Sequence, residues 1–68
     1  MSVTITLNGR RQELPSGSTV RALLEHLALT GQRTAVEING EIVPRSTHET
    51  LVIAPGDRIE IVHAIGGG

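Results

Sequence analysis

Residues 2–14 read SVTITLNGRRQEL, and this stretch sets the kind of fold that the rest of the chain completes. Val3, Ile5 and Leu7 alternate with polar residues, and this period of two predicts a half-buried β-strand. The same chemistry recurs along the chain, because seven Ile and six Val supply half of its apolar residues. Such β-branched side chains favour strands, so we expect a sheet-rich domain with an aliphatic core.

The first strand is followed by Asn8-Gly9, a pair typical of tight hairpin turns because both positions adopt positive φ. The return strand, residues 10–14, is polar except for Leu14. A strand with so little to bury is expected at a sheet edge, where its charges also oppose aggregation. Arg10 belongs either to this strand or to a three-residue turn, and the two options differ by one residue in register.

A single helix is predicted after the break at residues 15–17. Ser18 or Thr19 offers a side-chain oxygen that caps its first turn, and Gly31 is the expected C-cap. The helix is expected to cover one face of the sheet, because its apolar residues recur at i, i+3, i+4 and i+7. These residues are Val20, Leu23, Leu24 and Leu27.

A second hairpin is predicted in the middle of the chain. Residues 35–38 form its first strand and residues 41–43 its short return strand, joined by another Asn-Gly pair at 39–40. Residues 45–50 are polar and irregular, with room for a single tight helical turn. We expect Leu51 to plug the core from beneath.

The last strand is predicted over residues 58–64, after a type II turn at residues 54–57 with Pro and Gly in its central positions. Ile59 and Ile61 fall on one face of this strand, and Val62 falls on the other. Together these elements predict an α+β fold, in which a mixed sheet of four to five strands packs one main helix against one face.

Glycine occupies the last three positions, residues 66–68, where it strengthens neither a strand nor a core. We expect a domain over residues 1–65 and a flexible glycine tail over residues 66–68. The α-carboxylate of Gly68 is ionised at neutral pH and unhindered, but it reacts with nucleophiles only after an enzyme activates it, for example as an adenylate. In this interpretation the activating enzyme recognises the folded domain and modifies the tail as its substrate. A disordered tail without function is the alternative.

Composition excludes several classes of function. The chain has 68 residues and no cysteine, so it offers one small domain without disulfides or thiol chemistry. A net charge of −1 and the absence of aromatic residues argue against nucleic-acid binding. Its apolar runs are too short to span a membrane, and we expect a cytoplasmic protein. No two of its histidines, His26, His48 and His63, are four residues apart, so no metal site is expected, and neither a bound cofactor nor catalytic activity.

The order of elements, ending in a strand that runs into Gly-Gly, resembles the β-grasp, ubiquitin-like fold. Within it the whole chain resembles the ThiS family of sulfur carriers, and Val43-Pro44-Arg45 and the Gly-Asp-x-Ile turn are the more specific features. Terminal Gly-Gly is shared with MoaD-like molybdopterin carriers and ubiquitin-like modifiers, whereas a last strand without aromatic residues favours the ThiS family. The residues that carry the resemblance are Asn8-Gly9, Thr19-Val20, Leu23-Leu24, residues 38–45, residues 55–59 and Gly67-Gly68.

The resemblance implies a chemistry for the tail. A ThiF-like adenylyltransferase, using ATP and magnesium, would adenylate the carboxylate of Gly68. Sulfur from a cysteine desulfurase or a rhodanese-like donor would then replace AMP and give a C-terminal thiocarboxylate. That group would donate its sulfur to thiazole formation on the thiazole synthase ThiG, in thiamine biosynthesis. The chain itself would be a protein co-substrate and not an enzyme.

The resemblance also implies where partners bind. Ile65, Gly66 and Gly67 would line the partner's channel. Docking would use the sheet face that the helix leaves uncovered, with three residues in the contact. These are Val62, Ala64 and Arg45. Three other readings stay open at this point: a sulfur carrier of the MoaD type or of another pathway, a ubiquitin-like modifier of lysines, and a non-covalent β-grasp module that binds through its sheet edge.

Overall fold

The computed structural model of the chain describes residues 1–30 and 33–63, and of His63 the backbone alone. Five strands and one α-helix account for most of these residues, which confirms the predicted α+β fold. In chain order the elements are β1 (Ser2–Leu7), β2 (Arg10–Pro15), α1 (Val20–His26), β3 (Thr34–Ile38), β4 (Glu41–Val43), a 3₁₀ turn (Arg45–Thr47) and β5 (Arg58–His63).

The strands form one mixed sheet in the order β2-β1-β5-β3-β4. The last strand, β5, therefore lies in the centre, parallel to β1 and antiparallel to β3. The polar strand β2 lies at an edge, as its sequence predicts. Leu7 pairs with Arg10, so the first turn has two residues, and Asn8 and Gly9 both adopt positive φ (49° and 83°). This pairing settles the register that the sequence left open.

The core lies between this sheet and α1. All five strands and the predicted apolar stripe of the helix contribute buried side chains to it, and burying each such side chain contributes roughly 1.5–3 kcal/mol. Among the described residues no helix is long and apolar enough to cross a membrane. The largest fully buried side chains are Ile5, Val20, Leu23, Val36 and Ile59.

The helix begins where the sequence predicts and ends earlier. Thr19 Oγ1 accepts a hydrogen bond from the Ala22 N–H at 3.1 Å and so caps the first turn. The expected C-cap at Gly31 is wrong, because the helix ends at His26, and Gly31 itself lies outside the described residues. Ala28 takes the left-handed conformation (φ 59°) that a glycine usually fills after a helix.

The core is closed from beneath by other residues than expected. Leu51 is 38% exposed, so its predicted role as the plug is wrong. Ile53, 2% exposed, and His48, 7% exposed, take this place. The segment is held by contacts with the start of the helix: the Leu51 carbonyl accepts a hydrogen bond from the Val20 N–H at 3.1 Å, and the Ile53 N–H donates to the Ser18 carbonyl at 2.9 Å. In this arrangement Ile53 is buried in the core, while Leu51 stays partly exposed.

Candidate functional site at the end of the last strand

The candidate site comprises the tail and the strand from which the tail extends. Five residues predicted for it from the sequence lie outside the described residues: Ala64, Ile65, Gly66, Gly67 and Gly68. The structure does describe β5 as far as His63, the side chains around it as far as Val62, and the turns that hold it. These features define where the tail leaves the domain.

The start of β5 is held by neighbours on both sides. Ile59 pairs with Leu7 of β1 and with Ile38 of β3, and its side chain is completely buried. The Asn8 N–H donates to the Ile59 carbonyl at 2.9 Å, one residue beyond the end of β1. This half of the strand is therefore part of the core.

The side chain of Asn8 extends this support by one further step. Its Oδ1 accepts a hydrogen bond from the Ile61 N–H at 2.8 Å, and its Nδ2 donates to the Ile61 carbonyl at 3.3 Å. The amide thus takes the place of a backbone unit in the ladder, after β1 has turned away into its hairpin. Asn8 serves the turn through its positive φ and β5 through its side chain.

Asn39, in the second hairpin turn, holds the first residue of β5 in a similar way. Its N–H donates to the Arg58 carbonyl at 2.7 Å, and its Oδ1 accepts from the Arg58 N–H at 2.9 Å. Its Nδ2 donates to Asp57 Oδ1 at 3.1 Å, while Asp57 Oδ2 accepts from the Ala54 N–H at 2.9 Å. We call these hydrogen bonds to β5 the Asn8 clamp and the Asn39 clamp. The sequence did not predict either of them, because Asp-Gly or Gly-Gly makes the same turn and only the choice of Asn pointed to a role for the side chain.

Among the described residues, the end of β5 pairs with a neighbouring strand on one side only. Val62 pairs with Ala35 and His63 pairs with Thr34, both on β3. Backbone pairing with β1 ends at Leu7 and Ile59. Val62 is 68% exposed, on the sheet face that the helix leaves uncovered, as the sequence predicts. In the part of the chain that the structure describes, the last two residues of β5 therefore pair with β3 only, and Val62 exposes an apolar side chain there.

The uncovered face around Val62 is part apolar and part acidic. Ile42 of β4 and Ala35 of β3 are exposed on it. Between these apolar groups Glu37 stands directly opposite Glu60 in the β3–β5 pairing, and among the described residues no cationic group lies within 4.0 Å of either carboxylate. Directly opposed like charges destabilise a sheet, so this pair is kept at some cost in stability.

Arg45 is brought to the same end of the sheet as Val62. The two residues border one shallow groove, together with Arg33, Thr34 and Ala35. The structure therefore brings two of the three predicted docking residues together, while the third, Ala64, lies outside the described residues. Arg33 was not predicted: its position beside the tail strand follows from the β3–β5 register, which local sequence pattern does not reveal.

His48 is the buried histidine of this region. Its ring donates through Nε2 to the Val43 carbonyl at 3.3 Å, which ties the turn after Arg45 to the end of β4. Within residues 1–30 and 33–63 no three His, Cys, Asp or Glu side chains gather as metal ligands would. The role of His48 in the described region is structural.

Comparison with known proteins shows which family the chain is similar to. The profile of the ThiS family matches residues 5–68. The sulfur carrier protein ThiS of Escherichia coli K12 is 34% identical over 64 residues, which cover 94% of this chain and 97% of that protein. The crystal structure of the thiamine biosynthesis protein ThiS from Geobacter metallireducens superimposes with a TM-score of 0.80 at 28% identity, covering 97% of this chain and 100% of that one.

Longer proteins contain a similar segment. A thiazole synthase of Paramagnetospirillum magneticum is 41% identical over 64 residues, and a thiazole synthase of Magnetococcus marinus is equally similar. The match covers 94% of this chain but 20% of either protein, so the chain spans about a fifth of the length of these relatives.

Proposed function

The chain belongs to the ThiS family, and from this premise we propose that it is a sulfur carrier of thiamine biosynthesis, with its cargo on the carboxylate of Gly68. The observation that carries the proposal is the extent of the family match, which runs from β1 through the glycine tail. The end of β5 supports it, because among residues 1–30 and 33–63 its last two residues pair with β3 only, and a strand end paired on one side leaves room for an enzyme to bind.

Activation is the first step of the proposed chemistry. A carboxylate resists nucleophiles because its charge is delocalised and it has no good leaving group. In the proposed step a carboxylate oxygen of Gly68 attacks the α-phosphorus of ATP, pyrophosphate leaves, and an acyl adenylate forms. A ThiF-like adenylyltransferase with magnesium supplies the catalysis. The carrier contributes the terminal carboxylate and a glycine tail narrow enough for a confined channel.

Sulfur transfer is the second step. A cysteine desulfurase or a rhodanese-like protein supplies sulfur that attacks the carbonyl carbon, and AMP leaves. Hydrosulfide gives the thiocarboxylate directly, whereas a protein persulfide gives an acyl disulfide that a thiol then reduces. The product holds sulfur as a soft nucleophile attached to a protein that a recipient enzyme recognises. The carrier is consumed and regenerated, so it is a co-substrate and not a catalyst.

A thiazole synthase of the ThiG type is the proposed recipient of the sulfur. The support is that two proteins named thiazole synthase each contain a segment, about a fifth of their length, that is similar to this chain. A protein that joins a carrier-like segment to a thiazole synthase fits a carrier that delivers sulfur to that enzyme. The thiocarboxylate sulfur would be incorporated into the thiazole ring, and an oxygen atom, from water or from the substrate carbonyl that the sulfur replaces, would restore the carboxylate of Gly68.

Partner binding is proposed at the end of β5. Ile65, Gly66 and Gly67 would lie in the partner's channel, while Val62, Ala64 and Arg45 would contact its surface. An extended five-residue segment spans at most about 18 Å, which sets how far residues 64–68 reach from His63. The exposure of Val62 and Arg45 supports this assignment.

The test compares two proteins of identical sequence, one ending in the Gly68 carboxylate and one in a Gly68 carboxamide made by semisynthesis. Each is incubated with the activating enzyme, magnesium, ATP and labelled pyrophosphate. The acid is expected to support pyrophosphate exchange and the amide to give none, since the amide lacks the attacking oxygen. Equal behaviour of the two forms would contradict the proposal and favour a non-covalent module. Lysine-linked products on denaturing gels would instead indicate a modifier.

A further inference from the structure

Two arginines, Arg33 and Arg45, lie beside the end of β5 and border the same surface. Arg33 comes just before β3, and Arg45 comes shortly after β4. Thr34 pairs with His63 and Val36 pairs with Val43, so both arginines lie at the end of the sheet where β5 ends. The two guanidinium groups border the groove that contains Val62. They also border an adjoining groove of about 460 Å³, which runs to His48 and the end of α1. The two grooves thus form one continuous surface.

The charges in this surface are unequally neutralised. Arg21, in the adjoining groove, pairs with Glu25 at 3.5 Å and with Glu49 at 3.2 Å. By contrast, no carboxylate within the described part of the chain lies within 4.0 Å of Arg33 or Arg45, and both residues are exposed. The chain as a whole carries a net charge of −1. Two uncompensated guanidinium groups on one groove are therefore a local feature and not a consequence of overall charge.

The backbone at Arg45 is held in place by hydrogen bonds. Its carbonyl accepts a hydrogen bond from the His48 N–H at 3.1 Å inside the 3₁₀ turn, and the His48 ring is itself bound to the Val43 carbonyl. A guanidinium group on a fixed turn loses less conformational freedom on binding than one on a mobile loop. It also offers a planar set of donors that suits a carboxylate.

We propose that Arg33 and Arg45 bind an acidic segment, with Asp or Glu beside an apolar residue, on the enzyme that activates Gly68. This inference rests on the proposed function and names the chemistry of its partner at the tail exit. Val62 and Ala35 line the same groove as the two cations, and this mixture of apolar and cationic groups matches a peptide surface better than a lone phosphate. A nucleotide is disfavoured, because the chain has no aromatic residue on which a base would stack.

The test separates binding from chemistry by using the Gly68 carboxamide, which binds but cannot be activated. Its affinity for the activating enzyme is measured by calorimetry for the parent and for a form carrying Arg33→Glu and Arg45→Glu. The matched control carries Arg10→Glu and Arg11→Glu on the far edge strand β2, with the same change in net charge. We expect the first pair to weaken binding about tenfold or more and the control pair to change it less than about twofold. The parent should also lose affinity as salt is raised.

Equal affinities of the two charge-reversed forms would overturn the inference, and so would a parent affinity that does not depend on salt. Saturable binding of inorganic phosphate that needs Arg33 and Arg45 would also overturn it, in favour of a small-anion site. The proposed function fails by a different result, namely no pyrophosphate exchange with the carboxylate form. Thermal unfolding of each variant checks that the fold is retained, as expected for exposed side chains.

Discussion

At its start β5 lies between β1 and β3, whereas at its end the described residues pair it with β3 alone. Ile59 in the first half is completely buried, and Val62 in the second half is 68% exposed. Asparagine side chains bond to Arg58 and Ile61, whereas Arg33 and Arg45, which have no carboxylate within 4.0 Å in the described part of the chain, border the groove at Val62. A single six-residue strand thus combines a first half that is fixed in the core with a second half that exposes Val62.

The largest difference between the halves is expected in stability. Ile59→Ala should cost about 2–5 kcal/mol, because it removes a fully buried side chain and leaves a cavity. Val62→Ala, with a similar chemical change on the same strand, should change the free energy of unfolding by less than about 0.5 kcal/mol. Urea denaturation of both variants measures these values. Equal losses would show that the end of β5 is as much a part of the core as its start.

The clamp at Asn8 is expected to have an intermediate effect. Asn8→Gly preserves the positive φ of the turn and removes only the amide, which leaves the Ile61 N–H and carbonyl without their partners. The free energy of unfolding should fall by about 1–3 kcal/mol, and the Ile61 amide should exchange faster with deuterium. Unchanged protection of that amide would mean that the clamp does not determine where the anchored half of β5 ends. Gly9→Ala, which strains the same turn but spares the clamp, is the control.

The smallest effect is expected at the acidic pair of the uncovered face. Glu60→Gln removes the repulsion from Glu37 directly opposite and should stabilise the fold by about 0.2–1 kcal/mol at low ionic strength. The gain should shrink as salt is added, because the charges are near solvent. A loss of stability at low salt would indicate that the face is not under electrostatic strain. Thermal unfolding at two salt concentrations measures the effect.

Local patterns were enough to predict most of this fold. The alternation in β1 and β5, the helical stripe in α1 and the two Asn-Gly turns each depend on neighbours in sequence, and the structure confirms them. The outward position of Val62 followed from the same alternation. These predictions succeed because periodicity records which face of an element is buried.

Most of the misses have a common cause in contacts between distant segments. Ile53 rather than Leu51 is buried where residues 51–53 bond to residues 18–20 at the start of α1. The early end of the helix is a local exception, because Ala28 adopts the positive φ that usually calls for a glycine. Arg33 and the amide of Asn8 come next to β5 only because β3 and β1 lie on either side of that strand. No local pattern contains that information.

The proposed chemistry is tested most directly by the intact mass of the chain after incubation with ATP, magnesium, the activating enzyme and a sulfur source. The expected result is a gain equal to the exchange of one oxygen for one sulfur, located by fragmentation at Gly68 and absent without ATP. An unchanged mass, or a change located elsewhere in the chain, would contradict it.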